Sequence, residues 1–167
     1  MSNFNHVLRL AVLAAALGGA TTALAQTADR GCIELKAVAE IQETYTDARG
    51  NEATRLVPAA KVVPGDEVIW TIVANNVCTT PAGDIAITNP VPQHMRYVGS
   101  SAFGPGAQIV FSLDGSTFAA PEALVVAQAD GTRRPARADE YSAIRWVLPR
   151  PIGPSESMTV RYRATVL

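Results

Sequence analysis

The chain has 167 residues, 48% of them hydrophobic, 6% aromatic and 17% charged, with a formal net charge of −1. That balance supplies no basic field for a nucleic-acid backbone, and one ordinary domain accounts for the length. With only two histidines, a metal site built on three histidines has too few members to form.

The N-terminus MSNFNHVLRLAVLAAALGGATTALAQ places Arg9 before an apolar run from Leu10 to Leu17, followed by small residues ending in Ala23, Leu24 and Ala25. This is the tripartite plan of a secretory signal peptide, and cleavage is expected after Ala25. A spanning helix needs about 20 apolar residues, and here Gly18, Gly19, Thr21 and Thr22 interrupt the run. The expected organisation is a signal peptide over 1–25 and a single domain over 26–167, with no transmembrane segment after cleavage. Arg9 and His6 leave with the signal, so 13 of the 14 basic residues face 15 acidic ones in the processed chain.

Cys32 and Cys78 both lie in that domain. An exported chain meets an oxidising compartment, so a Cys32–Cys78 disulfide is expected, free or intermolecular thiols being the alternative. In the chain-entropy account such a bridge stabilises the fold by about 4 kcal/mol.

From Cys32 the period is two. Ile33, Leu35, Ala37, Ala39 and Ile41 alternate with Glu34, Lys36, Val38, Glu40 and Gln42, the pattern of a half-buried strand. Turn chemistry follows around Gly50 and Asn51, and LVPAAKVV resumes an extended course with Pro58 suited to an edge. After the turn at Pro64, Gly65 and Asp66, EVIWTIVANN is apolar or uncharged on both faces, which predicts a central strand with Trp70 as a core anchor. DIAITN forms the next strand; Pro90 and Pro92 then interrupt pairing before Tyr97 and Val98.

QIVFSLDGSTFAAP reads as a hairpin about Asp114 and Gly115, ALVVAQ as a short strand, and ADGTRRPARADEY as the most polar loop. AIRWVLP and SMTVRYRATVL close the chain as two alternating strands, the second a candidate sheet edge. Short strands at regular intervals with Gly and Pro turns predict an all-β antiparallel β-sandwich.

The pattern PGDEVIWTIVANN followed by GDIAITNPVPQHMRYVGSSA resembles the conserved-repeat domain of bacterial and archaeal surface proteins, domain of unknown function number eleven. The residues that carry it are Gly65, Asp66, Asn75, Asn76, Thr88, Asn89, Pro92, Tyr97 and Val98. The resemblance covers about residues 61 to 102 and implies an Ig-like surface module with no shared catalytic residues. The chain departs in having one copy, a long pair of strands between Cys32 and Val57, and a cysteine pair that the family pattern does not require.

No catalytic, cofactor-binding or metal-ligating set stands out. His94 falls in a loop, where a solvated side chain is the plain explanation. The carboxylates Asp66, Glu67, Asp84, Asp114, Asp130, Asp139 and Glu140 lack the spacing of a preformed calcium loop, although folding can still gather distant acids. Arg133, Arg134 and Arg137 could meet an anionic surface, but Asp139 and Glu140 follow at once. Trp70, Trp146, Tyr97 and Tyr162 sit in strand patterns, where packing explains them better than sugar stacking.

The resulting expectation is an exported, extracellular, cell-surface or periplasmic protein that is not an enzyme. Its role would be structural or interactive, as a subunit of an extracellular assembly or envelope matrix, with protein partners that include further copies of itself. The alternative is a periplasmic binding or accessory module whose loops around 76–84 and 90–106 form one end of the sandwich.

Overall fold

The computed structural model describes residues 31–167; the expected signal peptide, 1–25, lies outside the described residues. The strands are β1 (Ile33–Thr46), β2 (Glu52–Pro58), β3 (Glu67–Asn76), β4 (Ala86–Pro90), β5 (Met95–Tyr97), β6 (Gln108–Ser112), β7 (Val125–Ala127), β8 (Arg133–Pro135), β9 (Ala143–Val147) and β10 (Ser157–Val166). They form a five-stranded sheet in the order β2-β1-β3-β10-β5, a three-stranded sheet in the order β4-β9-β6, and the small pair β7-β8. Every pairing within the sheets is antiparallel. The expected all-β antiparallel sandwich is what the chain forms.

The two-residue period explains how the layers meet. In β10, Val160, Tyr162 and Ala164 are fully buried while Arg161 and Arg163 point outward. In β3, Val68, Ile72, Ala74 and Asn76 face inward with them. Opposite lie Ile87 of β4, Phe111 of β6, and Ile144 and Trp146 of β9, which close the core from the other sheet. Gly104 lets Trp146 seat against the chain, since a Cβ there would stand 2.7 Å from Trp146 Cδ1.

Four expectations are corrected. Trp70 is only partly buried and packs at the margin of the core, whereas Trp146 is fully buried and is the central anchor. Trp70 lies on the core-side face of β3 beside Ala39 of β1, where the outer strands of the large sheet contribute little to the core. The last strand is no edge: β10 pairs with β3 on one side and β5 on the other. The return leg of the expected hairpin around Asp114 makes only an isolated bridge, Phe111 to Ala119. Within the polar loop, Arg133–Pro135 instead forms a strand pairing with β7.

Cys32 and Cys78 form the expected disulfide, with Cα atoms 5.2 Å apart. It ties the start of β1 to the chain just beyond β3. Buried Asn76 reinforces the same junction. Its Nδ2 donates to Thr80 O at 2.8 Å and Ile152 O at 2.9 Å, and its Oδ1 accepts Cys78 N–H at 3.0 Å.

Candidate interaction surface

The residues that carry the surface-domain pattern are used as scaffold. Gly65 takes a left-handed φ of 98°, and Asp66 Oδ2 accepts Val63 N–H to close the turn into β3. Asn89 Nδ2 donates to the Tyr162 hydroxyl at 2.7 Å, linking the two sheets. The Tyr97 hydroxyl accepts Ala102 N–H. Burial pushes the Tyr162 hydroxyl up to about 12, against the smaller opposing effect of the Asn89 bond.

The charged candidates are likewise occupied in local structure. Arg134 donates to Glu140 Oε2 at 2.7 Å and Arg137 Nε to Asp139 Oδ1 at 3.0 Å, so two of the three arginines in the basic loop face their own acids. The Arg134 hydrogen bond, helped by Arg137 N–H, draws Glu140 down to about 2. Asp114 accepts from Thr117 N–H, Ser116 N–H and the Ser112 hydroxyl, which hold it well below the usual carboxylate range. His94 adopts a left-handed φ of 63° and its carbonyl accepts Leu167 N–H. Among the described residues no three His, Cys, Asp or Glu side chains are grouped to hold a metal.

Two surface features remain. The first is a cleft of about 340 Å³ between the β5 and β6 margins, floored by Tyr97, Phe111 and Tyr141. The Phe111 and Tyr141 rings stack at 4.6 Å, and Tyr97 lies 5.3 Å and 5.9 Å from them. Burial raises the Tyr141 hydroxyl above its ordinary value. Among the described residues no acid, lysine, arginine or histidine lines the cleft, so its chemistry is that of an apolar seat.

The loops expected to share one end of the sandwich do not. Residues 77–84 adjoin Asn76 of β3, whereas β5 meets β10 at Ala164 to Val166, beside the Glu67 end of β3. The cleft therefore draws on the second loop only.

The second feature is β1 itself. Ile33, Leu35, Ala37, Ala39 and Ile41 share a face with Asn76, Ala74, Ile72, Trp70 and Val68 of β3, which is the core-side face. Yet β1 gives the core only the partly buried Ile33, and β2 gives it nothing. Leu35 is 54% exposed, and Val38 on the opposite face 50%. A large sheet of five strands opposed by one of three leaves this apolar face uncovered.

Among the described residues, half of β1 is also a free edge. Cys32 O accepts Val77 N–H on the β3 side, while Ala39 O accepts Ala59 N–H on the β2 side. Since backbone groups alternate sides along a strand, Ile33, Leu35 and Ala37 direct theirs away from β3. β2 ends at Pro58 opposite Glu40, so among the described residues no strand stands beside those three. The alternation is legible in the residues of β1 but this edge is not, because the number of strands in the opposing sheet is a tertiary property.

The chain matches no family model, no curated protein and no solved structure.

Proposed function

We propose that this is an exported structural or interaction protein, a subunit of an extracellular assembly or envelope matrix, and that it works by binding rather than turnover. The carrying observation is the β1 strand, whose first half has no strand partner on its outer side among the described residues and carries exposed Leu35 on the uncovered core-side face, with Val38 exposed on the opposite face. Unpaired strand edges are templates for another chain, and exposed apolar surface gains from being covered. The Cys32–Cys78 disulfide fits an oxidising compartment, in keeping with the signal-like N-terminus. The residue pattern from 61 to 102 supports kinship with the conserved-repeat surface domain.

The cleft over Tyr97, Phe111 and Tyr141 favours the second reading, a periplasmic accessory module that seats an apolar group. Fractionation of the producing cell, followed by sizing of the native protein, tests the choice. Recovery in large envelope-associated or extracellular species supports the assembly role. Recovery as a periplasmic monomer supports the accessory module, and recovery from the cytoplasm with Met1 retained refutes both.

A further inference from the structure

We infer that two copies of this chain join edge to edge through the first half of β1, in antiparallel register centred on Leu35. The inference rests on the assembly reading above and names its contact. In that register Leu35 stands opposite Leu35 of the second copy, Ile33 opposite Ala37, and Glu34 opposite Lys36. The backbone phase agrees with this alignment: Ile33, Leu35 and Ala37 are the residues whose N–H and C=O groups face the open side. Each therefore meets a residue of the second copy that is also in hydrogen-bonding phase.

Glu34 and Lys36 fall on the intervening non-hydrogen-bonded positions, where opposed side chains come closest. Their charges are self-complementary under a two-fold axis through Leu35, since each acid meets a base and each base an acid. Within one copy the two already lie 4.0 Å apart, with side chains 53% and 67% exposed. Pairing would surround each charge with two of the opposite sign. On the other face the two Leu35 side chains, each 54% exposed in the single copy, would cover one another. Edge strands usually carry charge that repels pairing; here the signs alternate so that one register is selected and neighbouring registers set like charges together.

The Cys32–Cys78 bridge holds the start of β1 to its own domain. The contact is thus addition to an intact sheet, and no strand leaves its fold.

The test is sedimentation velocity on the processed chain, alongside Glu34→Lys and Lys36→Glu variants. Both sites are exposed, and circular dichroism and thermal melts check that each variant folds. The wild type should show a concentration-dependent dimer. Either variant alone should raise its dissociation constant about tenfold or more, because both symmetry-related pairs become repulsive. An equimolar mixture of the two variants should recover the dimer, since one then presents only lysines and the other only glutamates. Amide hydrogen exchange at Ile33, Leu35 and Ala37 should slow on dimerisation.

A monomer at all concentrations overturns the proposal, including the case in which another protein's strand occupies this edge. Larger species indifferent to both variants also overturn it while leaving the assembly reading intact. The assembly reading is itself decided separately, by the size and location of the native protein.

Discussion

At the scale of single residues, the pattern from 61 to 102 works as carpentry. Asn76, at the end of β3, is 2% exposed and its side chain satisfies groups from two other segments, the turn through Cys78 and Thr80 and the turn at Ile152. Asn76→Ala leaves the Cys78 N–H and the Thr80 and Ile152 carbonyls without that partner. We expect a loss of about 2–3 kcal/mol in chemical denaturation. Gly104→Ala drives a Cβ to 2.7 Å from Trp146 and 3.1 Å from Val160, which predicts a loss of about 1–3 kcal/mol by the same measurement.

Tyr162 supplies an alkaline signature. Burial raises its hydroxyl from 10.0 to about 12 in the fold. Its contribution is therefore complete below the unfolded value and falls away as pH rises through the folded one. Melting temperature should decline over that interval, and Tyr162→Phe should remove this part of the decline.

At the scale of elements, the turns hold the carboxylates and the strands hold the packing. Asp47, Asp114, Asp130, Asp139 and Glu140 are all lowered, chiefly by hydrogen bonds from nearby N–H and hydroxyl groups or, for Asp139 and Glu140, from arginines. Depressed folded values mean stability that is present above the ordinary carboxylate range and lost as pH falls through the folded values. The melting temperature should drop on acidification below about pH 4, and the Asp114→Asn variant should show a shallower drop.

Most elements were legible because alternation, Gly and Pro are local signals: β3, β4, β9 and β10 fall where the pattern put them. The relative burial of the tryptophans was not. Trp70 and Trp146 sit in equally apolar strands, and only the reach of the opposing sheet decides that Trp146 is enclosed. Accordingly Trp146→Ala should cost about 3–5 kcal/mol, and Trp70→Ala clearly less, as read by chemical denaturation. The same limit hid the interior position of β10, whose apolar-charged alternation suits a central strand with one solvated face as well as an edge.

At the scale of the whole molecule, the imbalance of five strands against three is the feature from which the functional reading grows. A sandwich whose sheets matched would bury the inward side chains of β1; this one leaves Leu35 in the open and, among the described residues, the backbone beside it without a strand partner. The sequence made Leu35 look like a core residue because it alternates with Glu34 and Lys36. Its exposure turns the same alternation into a contact pattern. The chain is held to this shape by Cys32–Cys78, which fixes the start of β1 while leaving its outer edge free.

Imaging native envelope or extracellular material by electron cryomicroscopy decides whether the outer edge of β1 is an assembly contact. Assembled protein should show the edge of β1 from Ile33 to Ala37 paired with a strand from outside its own domain. Native protein found only as separate monomers, with that edge open to solvent, would contradict it.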